Sequence, residues 1–314
     1  MRGRGRRVEI LVLGSGGAVP RVRRQPSILV RDWMGNHVLL DAGEGVQMWL
    51  MKAGVSPSRL DIVAVTHPHG DHVNGLAGLL MTMSLEGRRR PLTIVSTRET
   101  LEFVLETLEA TEARLGFKVE ALEARGRSYT RLKSSGGDSV VLSWYPTCHS
   151  IESVGFRLDW RLRPRIDPGR LAALGLKPGP WIARVVEEGE ALVEGRRVRL
   201  KDLASTLPMS FSIAYTGDTM HPCPTIEEAV RGVDVLIHEA TLGGEYVDEA
   251  RARGHSTPLQ AAGLALKSGV RLLVLYHVSG RYEGFEARKL LFEARRVFPK
   301  TLLAWDGMRL LLSP

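Results

Sequence analysis

Three histidines and one aspartate fall within six residues in the run Thr66-His67-Pro68-His69-Gly70-Asp71-His72. The chain has nine histidines in all, so this density is not compositional. Neutral imidazole and carboxylate are the donors that suit zinc, and manganese and iron accept the same set. The run follows the apolar stretch DIVAVTH (61–67), which reads as a buried strand. A tight turn at a strand end can aim several side chains into one space, and glycine lets such a turn pack closely. The bland alternative is an exposed His-rich loop without metal. Against it, buried histidines are usually met singly rather than three at a time.

One turn rarely completes a two-metal site, so further donors must come from elsewhere. His149 follows VVLSWYP (140–146), Asp218 ends FSIAYTGD (211–218), and His277 ends RLLVLYH (271–277). Taken singly, each reads as a loop or core-edge residue. Taken together, they repeat the placement of the histidine-rich run: a polar residue terminating an apolar strand.

The elements that must position these groups read as an α/β protein. VEILVLG (8–14), SILVR (27–31) and HVLLDAG (37–43) are apolar and β-branched, with Gly and Asp at their ends, and read as strands. Helical stretches follow from Glu44 to Ala53 and from Asn74 onward. PLTIVS, VVLSWYP, VGFRL (154–158), FSIAYTGD, VDVLIHEA (233–240) and RLLVLYH supply further strands. Residues 159–205 break the alternation, with many arginines and a Pro-Gly-Pro at 178–180. The expectation is a single domain over 1–314, interrupted at 159–205 by an inserted basic arm. A plain surface connection is the alternative, although loops this long within a domain are usually functional.

Composition narrows the function. The formal charge is +8, which favours an anionic partner such as nucleic acid. With only Cys148 and Cys223, no disulfide framework is readable, and a reducing, cytoplasmic setting is expected. The basic start MRGRGRR precedes an apolar run that Gly14-Ser15-Gly16-Gly17 soon breaks, so neither a signal peptide nor a membrane span is expected.

The order HxHxDH, then a separate His, Asp and His at strand ends, resembles the metallo-β-lactamase superfamily. Further stretches resemble its ribonuclease Z family in particular. These are DAGEGVQ (41–47), GDHVNGLAGLL (70–80), His238-Glu239-Ala240-Thr241, His255-Ser256-Thr257, HVSGRY (277–282) and LGLKPGPWIARVVEEGE (174–190). The likeness runs in order along nearly the whole chain. It implies an αββα sandwich holding two Zn2+ ions, with Mn2+ or Fe2+ as substitutes. It assigns His67, His69 and His149 to one ion, Asp71, His72 and His277 to the other, and Asp218 to the bridge. One departure is the loop Pro20-Arg21-Val22-Arg23-Arg24-Gln25, which keeps charge but lacks the asparagine that the family often has there.

The resemblance also implies a reaction: hydrolytic removal of the 3′ trailer of precursor tRNA, leaving a tRNA 3′-hydroxyl and a trailer 5′-phosphate. Two metals can clamp both ends of an in-line displacement and supply hydroxide at neutral pH. Asp71 is the candidate proton acceptor. His255 is the candidate acid for the leaving oxygen, oriented by Glu239. Arg161, Arg163, Arg165, Lys177, Gly179 and Pro180 of the arm, with Arg281, are candidate tRNA contacts. Removing about 160–200 should weaken tRNA binding and spare a small phosphodiester. The family is usually a homodimer. His221 reads as a loop residue, and His238 as packing, because neighbours on a strand face opposite ways. The rivals are a small-molecule phosphodiesterase or thioesterase of the same fold, a non-catalytic RNA-binding module, and a long nuclease acting on mRNA ends. The module should show a broken ligand set, and the long nuclease would need a further domain.

Overall fold

The computed structural model describes residues 6–314; the basic start at 1–5 lies outside them. The chain first lays down β1 (Val8–Gly14), β2 (Ser27–Asp32), β3 (His37–Leu40), β4 (Ile62–Ala64), β5 (Leu92–Ser96) and β6 (Val119–Glu123). A second sheet begins with β7 (Ser128–Arg131), β8 (Ser139–Pro146) and β9 (Val154–Leu162). The arm follows, with β10 (Arg165–Ile166), β11 (Glu190–Val193), β12 (Arg196–Arg199) and β13 (Ala204–Thr206). Then β14 (Met209–Tyr215), β15 (Val235–Glu239), β16 (Leu272–Tyr276) and β17 (Thr301–Leu303) complete the second sheet, and β18 (Arg309–Leu312) returns to the first. The sheets run β18-β1-β2-β3-β4-β5-β6 and β17-β16-β15-β14-β9-β8-β7.

The two sheets pack face to face, which explains why the sequence reads as continuous apolar runs. A strand buried on both faces carries apolar residues along most of its length. In β1, Val8, Ile10 and Val12 enter the core between the sheets, whereas Leu11 and Leu13 face the helices outside. The same alternation places Val274 and Tyr276 of β16 inside, with Leu273 and Leu275 outside. Helices Val46–Lys52, Gly75–Leu85 and Arg98–Ala110 cover the first sheet. Pro224–Ala229, Pro258–Lys267 and Gly284–Arg295 cover the second. This is the αββα sandwich that the resemblance implies. No helix among the described residues is long and apolar enough to cross a membrane.

Strands β3 and β4 are parallel, as are β14, β15 and β16. Their C-terminal ends therefore gather on one rim, the usual place for a site in such sheets. The arm leaves from the opposite end. β9 and β14 are antiparallel, and Leu162 pairs with Met209 where the arm begins and ends. Residues 159–162 thus continue the sheet. The arm proper carries helices Pro168–Ala173 and Trp181–Glu188, and its own small core includes Leu171, Leu176, Val185 and Leu203.

The expected absence of a disulfide does not hold. Cys148 and Cys223 form a disulfide across a separation of 75 residues, with Cα atoms 5.8 Å apart. No local spacing signals such a pair, because the fold alone brings the two loops together.

Candidate metal centre and catalytic cleft

The histidine-rich run folds into a turn and a short helix, Gly70–Val73, directly after β4. His67 Nε2 lies 3.0 Å from His69 Nδ1, and His149 Nε2 lies 3.1 Å from the same atom. Beside them, His277 Nε2 stands 3.2 Å from both His72 Nε2 and Asp71 Oδ2. Asp218 sits between the two groups. Its Oδ2 is 3.4 Å from His72 Nε2 and 3.9 Å from His67 Nε2, and its Oδ1 is 3.4 Å from His277 Nε2. All seven candidate ligands therefore converge at one place.

Outer hydrogen bonds fix how these rings face. His72 Nδ1 is 2.7 Å from Asp41 Oδ2, and His149 Nδ1 is 2.8 Å from the Gly254 carbonyl. Thr66 Oγ1 donates to Asp41 and accepts from His67 Nδ1 at 2.8 Å. Thr241 Oγ1 likewise donates to Glu239 at 2.6 Å and accepts from His277 Nδ1 at 2.9 Å. An N–H committed outward leaves a lone pair on the inner nitrogen, as a metal ligand requires.

The donor set fits metal ions. A tetrahedral ion with bonds of about 2.0–2.1 Å spaces its ligands roughly 3.3 Å apart, close to the separations seen here. Asp218 Oδ1 is buried and accepts no hydrogen bond. Burial and neighbouring His72 hold His67 well below the ordinary imidazole range, so it is neutral. Burial opposes charge on His72, yet Asp218, Asp41 and Asp71 hold it well above that range. Converging carboxylates thus demand positive charge here. Burial would raise Asp71, but His72 and His277 bring it down to about 2.

Local backbone explains how strand ends reach this point. Gly217 precedes Asp218 at φ +59°, and a Cβ there would lie 2.6 Å from Thr66 Cγ2. Gly254 turns at φ +75° where a Cβ would meet His149 Nδ1 at 2.7 Å. Asp41 and His277 hold left-handed φ of 57° and 54° immediately after β3 and β16. Asp41 is a residue to which the sequence reading gave no role. It is fully buried and accepts from Thr66 N, Thr66 Oγ1, His72 Nδ1 and Tyr215 OH. Its signal was present: like Asp218, it terminates an apolar strand.

Glu239 ends β15 with its side chain buried. Its Oε1 accepts from Thr219 N at 2.8 Å and lies 3.0 Å from His255 Nδ1. Burial lowers His255, but Glu239 and Asp218 outweigh it and push the ring up to about 9. His238 is buried, with Nδ1 2.7 Å from the Glu239 carbonyl, and burial keeps it low. Neither it nor His221 joins a metal-competent group among the described residues.

These residues floor a cleft of about 650 Å³ lined by His69, Asp71, Asp218, His255, His277 and Arg281, among others. Arg281 lies at its rim and donates to Glu249. The remaining candidate contacts do not line the cleft. Arg161 is an exposed residue of β9, Arg163 follows that strand, and Arg165 lies in β10. Lys177, Gly179 and Pro180 lie before the arm helix Trp181–Glu188, where Trp181 Nε1 donates to the Lys177 carbonyl.

A family model described as Anti-Pycsar protein Apyc1 matches residues 8–162. Ribonuclease Z of Aeropyrum pernix is 57% identical over 308 residues, covering 98% of this chain and 99% of that one. Ribonuclease Z of Sulfolobus acidocaldarius is 35% identical over 296 residues, covering 94% and 95%. Among solved structures, the short form of human tRNase Z matches with a TM-score of 0.67 at 26% identity, over 98% of this chain and 99% of that one. The metallo-β-lactamase fold protein YhfI of Bacillus subtilis matches at 0.66 with 17% identity, over 98% and 100%, and shares the fold. Similarity that runs along almost the whole length of both sequences, with clustered His and Asp side chains able to bind metal, shows that the chain belongs to the ribonuclease Z family.

Proposed function

We propose that this chain is an endoribonuclease that removes the 3′ trailer of precursor tRNA, leaving a tRNA 3′-hydroxyl and a 5′-phosphate on the trailer. The observation that carries the reading is His255, on the wall of the cleft that Asp71 and Asp218 also line, backed at 3.0 Å by the buried Glu239. His67, His69 and His149 would hold one zinc ion, Asp71, His72 and His277 a second, and Asp218 would join them; manganese or iron suits the same donors. Bound there, such ions supply charge neutralisation on the phosphate and hydroxide at neutral pH.

The chain's own groups do the rest. Asp71, held near 2, is a poor final home for a proton at neutral pH, because an effective general base has a pKa near the working pH. Its part is to accept a hydrogen bond from the attacking water and aim it. Attack on phosphorus breaks the bond to the ribose 3′-oxygen, which must gain a proton. His255 is tied through Nδ1 to Glu239, which leaves Nε2 as the nitrogen to donate. Products with a 2′,3′-cyclic phosphate would sink this scheme, since they require attack by the ribose 2′-hydroxyl.

The arm would position the tRNA through Arg163, Arg165, Lys177 and the Gly179-Pro180 turn, with Arg161 at its root and Arg281 at the cleft, mostly on phosphates. β9 has nine residues from its metal-site end to the arm, or roughly 26 Å at about 3.3 Å per residue. That offset supports a homodimer in which one subunit's arm serves its partner's cleft. We propose a cytoplasmic setting, where a precursor tRNA substrate would be met.

The test is incubation with a precursor tRNA carrying a trailer, with zinc or manganese, beside an Asp71→Ala control. One cut near the trailer junction, absent in the control, is expected. Hydrolysis of small phosphodiesters or thioesters without RNA cleavage would move the function to the small-molecule reading.

A further inference from the structure

The disulfide joins two loops that the hydrolytic scheme needs but does not explain. Cys148 immediately precedes His149, and Cys223 follows Asp218 by five residues. The loops already touch: Met220 N donates to the Cys148 carbonyl at 2.7 Å, and Thr147 Oγ1 to the Asp218 carbonyl at 3.3 Å. Their mechanical settings differ. Cys223 is buried with Ile226 and Val230 of the outer helical layer. Beyond Cys148 the chain has no regular structure until β9, and Ser150, Ile151 and Glu152 are exposed. His67, His72, Asp218 and His277 are all buried, whereas His149 and its neighbour His69 are not, and of these two only His149 lies on a loop remote from the histidine-rich turn. The Gly254 carbonyl meets its ring, and Thr147 N donates to the Ser153 carbonyl at 3.0 Å to close the loop at its base, but Ser150, Ile151 and Glu152 between them are exposed.

We propose that the Cys148–Cys223 disulfide is a positioning device for the metal centre: it anchors the His149 loop to the buried outer layer and so retains the ion that His149 holds. This rests on the two-ion reading above. Outer contacts that orient a ligand typically change metal affinity about 10–100-fold. Loss of the bond should therefore act on one ion and leave the ion held by Asp71, His72 and His277 in place.

The experiment loads the full-length protein with zinc and follows release to a chromophoric chelator at a temperature where circular dichroism shows both forms folded. Wild type is compared with the double variant Cys148→Ser/Cys223→Ser. Wild type reduced by a water-soluble phosphine before loading is the second arm, should the variant fold poorly. The phosphine gives two electrons to the disulfide and becomes its oxide with oxygen from water, while two protons end on the sulfurs. Without the bond, one equivalent of zinc should leave about ten times faster and the other at the wild-type rate. Equal release from both forms, or equal acceleration of both equivalents, would reduce the bond to a general staple and overturn the proposal. Two free thiols in the untreated protein would overturn it as well. A wild-type protein that takes up no zinc would instead defeat the two-ion reading, and this inference with it.

Discussion

At the residue scale, two carboxylates outside the candidate metal-ligand set do parallel work. Asp41 reaches His67 through Thr66 and His72 directly, and Glu239 reaches His277 through Thr241 and His255 directly. Each fixes the tautomer of one ligand through a hydroxyl and holds a second ring itself. Asp41→Asn keeps the volume but removes the charge facing His72. Zinc affinity, measured by chelator competition, should fall about 10–100-fold; unchanged affinity would make Asp41 a packing residue. The Glu239–His255 pair makes a sharper prediction. His255→Ala should lower kcat on precursor tRNA about 10²–10⁴-fold with zinc content intact. The same variant should lose little on a 4-nitrophenyl phosphodiester, whose leaving group departs without a proton. Glu239→Gln should slow both substrates, because it also loosens His277. Equal losses on both substrates in His255→Ala would remove it from the acid role.

At the element scale, the folded core was legible because it is buried on both sides. The Val8–Gly14 run coincides with β1, and the αββα class implied by the resemblance is the fold observed. The edges were not legible. β6 and β7 are half-exposed and polar, so no apolar run marks them, and β18 carries three leucines but spans only four residues that alternate between exposed and half-buried positions. The histidine-rich turn was visible because its donors are adjacent, whereas the disulfide and the role of Asp41 depend on contacts 75 and 31 residues apart. One edge contact carries a pH prediction. Asp61, just before β4, accepts from Lys133, just after β7, at 2.7 Å and from Arg90, joining the two sheets. Burial would raise its carboxyl, but Lys133 and Arg90 bring it below the ordinary 3.8. A depressed folded pKa contributes stability above the unfolded value, and that stability is lost as pH falls through the folded one. The stability gap between wild type and Asp61→Asn should therefore be largest above about pH 4 and close at lower pH. A gap in melting temperature that is constant with pH would show that the charge contributes nothing.

At the scale of the whole molecule, the arm and the cleft lie at opposite ends of β9 and β14. Because Leu162 and Met209 are paired neighbours, a short Gly-Ser linker can replace 163–208 without disturbing the sheet. The arm closes on its own small core, so its removal should leave the sandwich folded and still active on a 4-nitrophenyl phosphodiester. Activity on precursor tRNA should fall through KM. Equal loss on both substrates would show the arm to be structural. Whether an arm serves its own cleft or its partner's then follows from complementation. The arm-deleted chain has a sound site, and Asp71→Ala has a sound arm. Co-expressed with different tags and purified as the mixed dimer, the two should regain tRNA cleavage, since one subunit's arm can reach the other's intact cleft. Random pairing makes half the dimers mixed, each with one working site of two, so the unfractionated pool should recover about a quarter of wild-type activity. An inactive mixed dimer would mean that each arm bends back to its own subunit, which requires the arm to span the full length of β9. A monomer in solution would exclude the shared arrangement outright and leave that long reach as the only route from arm to cleft.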